Sequence, residues 1–226
     1  MNWTGQIFHL VKKDLLLEWR QKYALGGILL YVLSTVFLIY IILNQGSLLD
    51  RMNYKIWSVL FWVTLLFAAV NAVAKSFSQE YKERQLYYYS LLNPKAVIMG
   101  KMLYNLVLML ILTLLCFGVF ALIIGNPVKT LWVFLLAIVL GGSGFSFLLT
   151  MVSAIASKAN NNVTLMAILS FPIILPLLLL LQKLAYNAFI INQTAVELLK
   201  DVGVLLTFDI MIVVLSLILF PFLWRD

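Results

Sequence analysis

Residues 102–124 read MLYNLVLMLILTLLCFGVFALII, an uncharged run long enough to cross the hydrocarbon of a bilayer. Inside lipid no water reaches the backbone, so every peptide group must find its partner within the segment. Only an α-helix achieves that for a single open segment. On either side of this run, five further long apolar stretches are found at 24–43, 56–74, 131–156, 163–181 and 204–224. At about 20 residues per crossing, six helices take up roughly 120 residues. The rest is connections.

The composition agrees. Of 226 residues, 64% are hydrophobic and 11% charged, with a mean hydropathy of +1.04. A soluble domain averages roughly 45–50% apolar and about 25% charged residues. A water-soluble enzyme, a nucleic-acid binder and a disordered chain are therefore excluded. The expected fold is an all-α integral membrane protein, a single transmembrane domain over 1–226 with six spans and no internal repeat. One cysteine, Cys116, rules out a disulfide framework. The N-terminus is not expected to be a cleavable signal, because 11–22 is dense in charge and no small-residue cleavage site comes after it.

The net charge of +7 sits in the connections and sets orientation. With the N-terminus inside, the inner segments hold Lys12, Lys13, Arg20, Lys22, Lys75, Lys82, Arg84, Lys95, Lys101, Lys158 and Arg225. The other side holds Arg51, Lys55, Lys129, Lys183 and Lys200. Both termini are expected in the cytoplasm.

Two segments on that side are too polar to cross. In 3–20, WTGQIFHLVKKDLLLEWR, helical spacing puts Gln6, His9, Lys13 and Arg20 in one arc and Trp3, Ile7, Leu10 and Leu17 in another. Such a helix, within 1–23, suits the membrane interface, as a plain anchor or with a further role. The second segment is 75–101, KSFSQEYKERQLYYYSLLNPKAVIMGK. There Phe77, Tyr81, Tyr88 and Leu92 form one stripe, largely opposite Gln79, Lys82, Glu83 and Ser90. Asn93–Pro94 ends that helix, because the residue before proline is pushed out of the α region. It can serve as an inert interfacial belt or as a helix that docks in a partner's groove.

The chain carries no phosphate-binding loop: Gly100–Lys101 is followed by Met102, so ATP hydrolysis by that route is excluded. His9 is the only histidine and Cys116 the only thiol, which leaves no basis for a metal site. His9 is expected to be solvated and Cys116 to be a small core residue. Gly141-Gly142-Ser143-Gly144 is similar to the Gly-x-Ser-Gly nucleophile motif of rhomboid intramembrane proteases. A serine nucleophile needs a general base, and the last span, VLLTFDIMIVVLSLILFPFLW, has no histidine. The four residues are read instead as a small-residue stripe for close helix packing or a bend, with Ser143 replaceable by alanine.

Asp209 is the one acidic residue in a span. Five residues after 204, it is expected about 8 Å deep at 1.5 Å per residue, near the outer interface, either solvated or functional in a path. Asn71 and Asn105 are expected to form interhelical hydrogen bonds. The short turn 158–162, KANNN, makes the fourth and fifth spans antiparallel neighbours. In the fifth, Pro172 and Pro176 remove backbone donors and are expected to bend or break the helix as a hinge. In the outer connection 182–203, the segment 194–200, TAVELLK, is expected to form a short helix outside or to re-enter.

A basic interfacial helix, six spans and an amphipathic helix between the second and third together resemble the ABC-2 exporter permeases. Glu80, Glu83, Leu86, Leu91, Leu92, Pro94, Gly100 and Lys101 stand in the order of that family's loop. Arg84–Gln85 replace its usual Gly-Thr or Gly-Ser step. Within the superfamily, Gly144–Phe145, Lys158 and the run Phe171-Pro172 through Pro176 resemble the CcmB family, the permeases of the haem exporter of cytochrome c maturation. The resemblance covers roughly 5–181 and is firmest over 75–181. It implies a non-catalytic subunit in the bacterial inner membrane, with ATP bound by a separate ATPase, CcmA. It also implies CcmC-, CcmD- and CcmE-like partners, haem handled by the complex, and two copies of this chain. The coupling helix would lie at about 79–93, with Glu80, Glu83, Arg84, Leu86, Tyr88, Leu91 and Leu92 against the ATPase. The alternatives are an ABC-2 permease for lipid, polysaccharide or drug, an intramembrane protease, and an ATP-independent secondary transporter.

Overall fold

The computed structural model describes residues 3–20, 22–45, 53–73, 93–157, 162–189 and 195–225. Within them the chain forms α1 (Trp3–Arg20), α2 (Lys22–Gln45), α3 (Tyr54–Val73), α4 (Pro94–Ile123), α5 (Leu131–Ala156), α6 (Asn162–Phe189) and α7 (Ala195–Arg225). Helices α2 to α7 are long and apolar enough to cross a membrane, one for each run read from the sequence. The amphipathic stretch at 75–92 lies outside the described residues.

Three helices outrun their apolar runs by about two turns or more, and tertiary contacts account for the extra turns of two. Helix α4 begins at Pro94, not 102. Proline at the first helical position forfeits no bond, and the Asn93 side chain caps the turn by accepting from the Lys95 amide at 3.0 Å. The Asn93–Pro94 step therefore starts α4. Its 30 residues rise about 45 Å against a hydrocarbon core of roughly 30 Å, so it is longer than a perpendicular crossing needs.

Helix α6 ends at Phe189, not 181. Its Ala188 carbonyl, which has no intrahelical partner, accepts from the Lys129 and Thr130 amides at 3.1 and 3.0 Å. Helix α7 then starts at Ala195, so 195–200 is its opening turns and not a separate or re-entrant helix. Asp201 ties those turns back to α6, with Lys183 Nζ at 2.7 Å and Asn187 Nδ2 donating at 2.9 Å.

Helix α5 is the centre of the bundle. It packs most extensively on α6, as the short turn at 158–162 requires, and also on α4, α7 and α3. Four consecutive positions fit it there, each toward a different neighbour. A Cβ on Gly141 would stand 2.6 Å from the Trp62 ring of α3, and one on Gly142 3.3 Å from Leu110 of α4. Ser143 meets Asp209 of α7, and a Cβ on Gly144 would stand 2.8 Å from Leu177 of α6. The expected small-residue stripe is thus a four-way packing point. Helix α2 is peripheral, with only Val32 and Val36 fully covered among its described side chains.

At the end of the bundle away from α1, Trp57 is buried among the rings of Phe61, Phe120, Phe134 and Phe189. Its indole Nε1 donates to the Gly125 carbonyl at 3.0 Å. Gly125 has φ +104°, a left-handed conformation that glycine adopts freely, and it turns α4 into α5. Trp57→Phe removes that donor and leaves a gap between rings. It is expected to cost about 2–3 kcal/mol, read as a lower midpoint of thermal unfolding in detergent. An unchanged midpoint would mean the indole bond contributes nothing.

Candidate functional site

Besides the Lys183–Asp201–Asn187 cluster that joins α6 to α7, two polar constellations stand out in a largely apolar bundle. The first joins α1 to the start of α4. A Cβ on Gly100 would come within 3.1 Å of Leu10 Cβ, so glycine there lets the two helices touch. One residue on, Lys101 Nζ lies 3.1 Å from Asp14 Oδ2, and both side chains are 7% exposed. Lys13 Nζ lies 3.1 Å from the other oxygen of Asp14. A turn further, the Tyr104 hydroxyl donates to Glu18 Oε2 at 2.9 Å.

Helical geometry explains the match. Leu10, Asp14 and Glu18 recur every four residues and so lie on one face of α1. Gly100, Lys101 and Tyr104 lie on the facing side of α4. Helical spacing alone divides α1 into a basic arc and an apolar arc and passes over both acids. The face turned to α4 is acidic, while Phe8, Leu15 and Leu16 are exposed. The available signal was the i,i+4 spacing of Asp14 and Glu18 opposite a Gly-Lys step. His9 is exposed on α1, as expected of a solvated side chain.

The second constellation lies at mid-height. Asp209 is the fifteenth residue of α7 and Ser143 the thirteenth of α5, each at the middle of its helix. Asp209 Oδ2 accepts from Ser143 Oγ at 2.6 Å, and Ser143 Oγ also lies 2.9 Å from the Leu140 carbonyl. The other oxygen, Oδ1, is buried with no hydrogen-bond partner among the described residues. The expectation of a shallow, water-reached carboxylate is thus corrected. Asp209 is 4% exposed, and the serine it bonds stands at the middle of the uncharged helix α5. Ser143 is likewise more than a small packing residue, since among the described residues it supplies the one hydrogen bond that this carboxyl receives.

The lone asparagines divide. Asn105 Nδ2 donates across helices to Thr150 Oγ1 at 2.8 Å, as expected. Asn71 instead donates to the Phe67 carbonyl of its own helix at 3.0 Å and is exposed. Cys116 is fully buried, as a core residue should be. Among the described residues no three His, Cys, Asp or Glu side chains gather as a metal site would need.

Helix α6 runs unbroken through Pro172 and Pro176, which removes the expectation of a break there. Both rings face outward, four residues apart. The neighbouring turns are held by Ile174, Leu177 and Leu181, all buried against the rest of the bundle. The residues expected to contact the ATPase, Glu80, Glu83, Arg84, Leu86, Tyr88, Leu91 and Leu92, lie outside the described residues. The Asn93 cap and α4 follow directly after Leu92 in the chain.

What the arrangement can do chemically is limited. Ser143 has a carboxyl neighbour but no histidine, and His9 is far along the chain on α1, so no nucleophile–base pair is assembled among the described residues. The polar groups join helices and form no reaction centre there. Among curated proteins, none matches this sequence. The chain does match the family described as CcmB protein over residues 5–224, nearly its whole length and well past residue 181, where the resemblance in the sequence motifs ends. With six membrane-long helices and that match, this multi-pass membrane protein belongs to the CcmB family, the non-catalytic permease subunit that works with the ATPase CcmA in the haem-export ABC transporter of cytochrome c maturation.

Proposed function

We propose that the segment 79–93 is where CcmA engages this permease, with Glu80, Glu83, Arg84, Leu86, Tyr88, Leu91 and Leu92 forming the contact. The observation that carries this reading is the start of α4. Its Asn93–Pro94 cap comes directly after the segment, and α4 is about ten residues longer than a crossing needs. A push or pull on the segment therefore acts on the first turns of that helix. The orientation belongs to the same reading. Lys and Arg concentrate in 1–23 and 75–101, so both termini and the docking segment face the cytoplasm of a bacterial inner membrane.

In the finer picture, the whole chain acts as one permease domain and α1 lies in the interface. Two copies pair with two ATPase subunits, and the complex works beside CcmC-, CcmD- and CcmE-like proteins. Pro172 and Pro176 supply compliance in α6, since two missing backbone donors on one outward face let that face lengthen at little cost. Glu83→Ala combined with Leu91→Ala is expected to reduce the CcmA recovered with the permease about tenfold, as loss of one helix-in-groove anchor implies. The amount of permease in the membrane should stay the same. Undiminished recovery of CcmA would place the dock elsewhere.

A further inference from the structure

We propose that the Asp14–Lys101 ion pair, with Glu18–Tyr104 beside it, is a clamp that makes α1 and the start of α4 move as one body. These four are positioning residues for ATP-driven work. The inference rests on the reading of 79–93 as the dock, because the clamp sits on the turns of α4 next to that segment.

A buried ion pair stabilises a fold no more than a well-packed apolar pair of the same volume, and often less. What it adds is register, because a slide that separates its members strands a charge in an apolar place. Here Asp14 and Lys101 are both 7% exposed, so sliding α1 along α4 would pull two buried opposite charges apart, with Lys13 travelling beside Asp14 on α1. The Tyr104–Glu18 bond repeats the constraint one turn on. The Leu10–Gly100 contact fixes the distance of approach. Three successive contacts, one steric and two polar, set height, rotation and separation together.

The positions of the two helices give the clamp its effect. Helix α4 packs directly on α5 and α7. Near its start, Val97, Ile98 and Met102 share one buried cluster with Ala154 and Phe220. Helix α1 exposes Phe8, Leu15 and Leu16 on its other side, a surface suited to the lipid interface. A movement delivered at Asn93 cannot tilt α4 without carrying α1 across that interface. Helix α1 thereby travels with α4, and the helices packed on α4 receive the movement of the pair.

The test uses the full complex with CcmA. Lys101→Met keeps the length of the side chain and removes the charge, and Asp14→Asn removes its partner's. Each is expected to leave the amount of permease and the CcmA recovered with it unchanged, while mature c-type cytochrome falls about tenfold. The exchanged pair Asp14→Lys with Lys101→Asp is expected to recover most of the loss, which a mere change in folding at one position would not do. Wild-type cytochrome levels in both single variants would overturn the proposal. So would loss of CcmA from the complex, which would make the pair part of the dock.

A second experiment asks directly whether the helices move together. In Leu10→Cys with Gly100→Cys, the two Cβ atoms lie close enough for a disulfide. Cross-linking in the purified complex is expected to leave ATP hydrolysis within about twofold of the reduced form. Hydrolysis abolished by the cross-link and restored by reductant would show that α1 and α4 must separate, and the clamp would be wrong. The docking reading fails separately, if Glu83→Ala with Leu91→Ala retains CcmA.

Discussion

Leucine at Gly141 or Gly144 is expected to remove the folded permease from the membrane. At Gly141 even a methyl group would lie 2.6 and 2.7 Å from Cζ3 and Cη2 of Trp62. That ring is 2% exposed and packed between Phe61 and Phe145, so it has nowhere to turn. At Gly144 the methyl would lie 2.8 Å from Leu177 Cδ1 and 3.0 Å from Asp209 Oδ1. Overpacking a close-fitted core costs about 1–3 kcal/mol for small additions and more when backbones must part.

Alanine at either position is expected at the upper end of that range. Leucine must drive α5 off two neighbours at once, against a total stability of only about 5–15 kcal/mol. The readout is the fraction of monodisperse protein after detergent extraction. Gly118→Leu and Gly203→Leu provide the control, because a Cβ at either site meets nothing within 4 Å. Normal yields of the Gly141 and Gly144 leucine variants would show that α5 is not the fitted centre of the bundle.

Ser143→Ala is expected to destabilise the protein more than the loss of a hydroxyl alone would. It leaves Asp209 buried with neither oxygen hydrogen-bonded, since Ser143 donates to Oδ2 and Oδ1 has no partner among the described residues. Stranding a buried carboxyl in this way costs about 2–4 kcal/mol. Asp209→Leu removes the stranded group along with the bond, so Ser143→Ala with Asp209→Leu is expected to be more stable than Ser143→Ala alone.

That non-additivity separates two roles for the pair. If the double variant is stable and still supports cytochrome c maturation, the pair only joins α5 to α7. If it is stable and inactive, the intramembrane carboxyl is itself needed, the role that would offset its cost in an apolar bundle. Equal melting midpoints for the single and double variants would refute the coupling. Asp209→Asn, which keeps an acceptor for Ser143, should fall between wild type and Ser143→Ala.

The parts of the protein that were legible in the sequence share one property: they are set by the lipid solvent. Six long apolar runs had to be helices because nothing else satisfies a backbone in hydrocarbon, and six membrane-long helices are found among the described residues. The short turn at 158–162 had to pair α5 with α6. The same logic rejected a protease, since one motif without a base is no active site.

The misplacements arose where hydropathy stops being informative. An apolar window cannot see that Asn93 caps a helix beginning at Pro94, or that Ala188 and Asp201 hold polar turns onto α6 and α7. Nor can it see that Asp209 is covered on α7 and bonded to Ser143 at the middle of α5. Asn71 and Asn105 look alike in sequence, yet one bonds its own helix and the other a neighbour.

Polar contacts between helices are invisible to a one-dimensional reading because each needs two segments whose relative rotation the local pattern leaves free. Burial in lipid, by contrast, constrains each segment separately. Residue order alone therefore sufficed for six membrane helices. Which helix stands at the centre, which acids face inward and what they hold emerged only in three dimensions. Those features depend on side chains from distant segments meeting at hydrogen-bond and van der Waals distance.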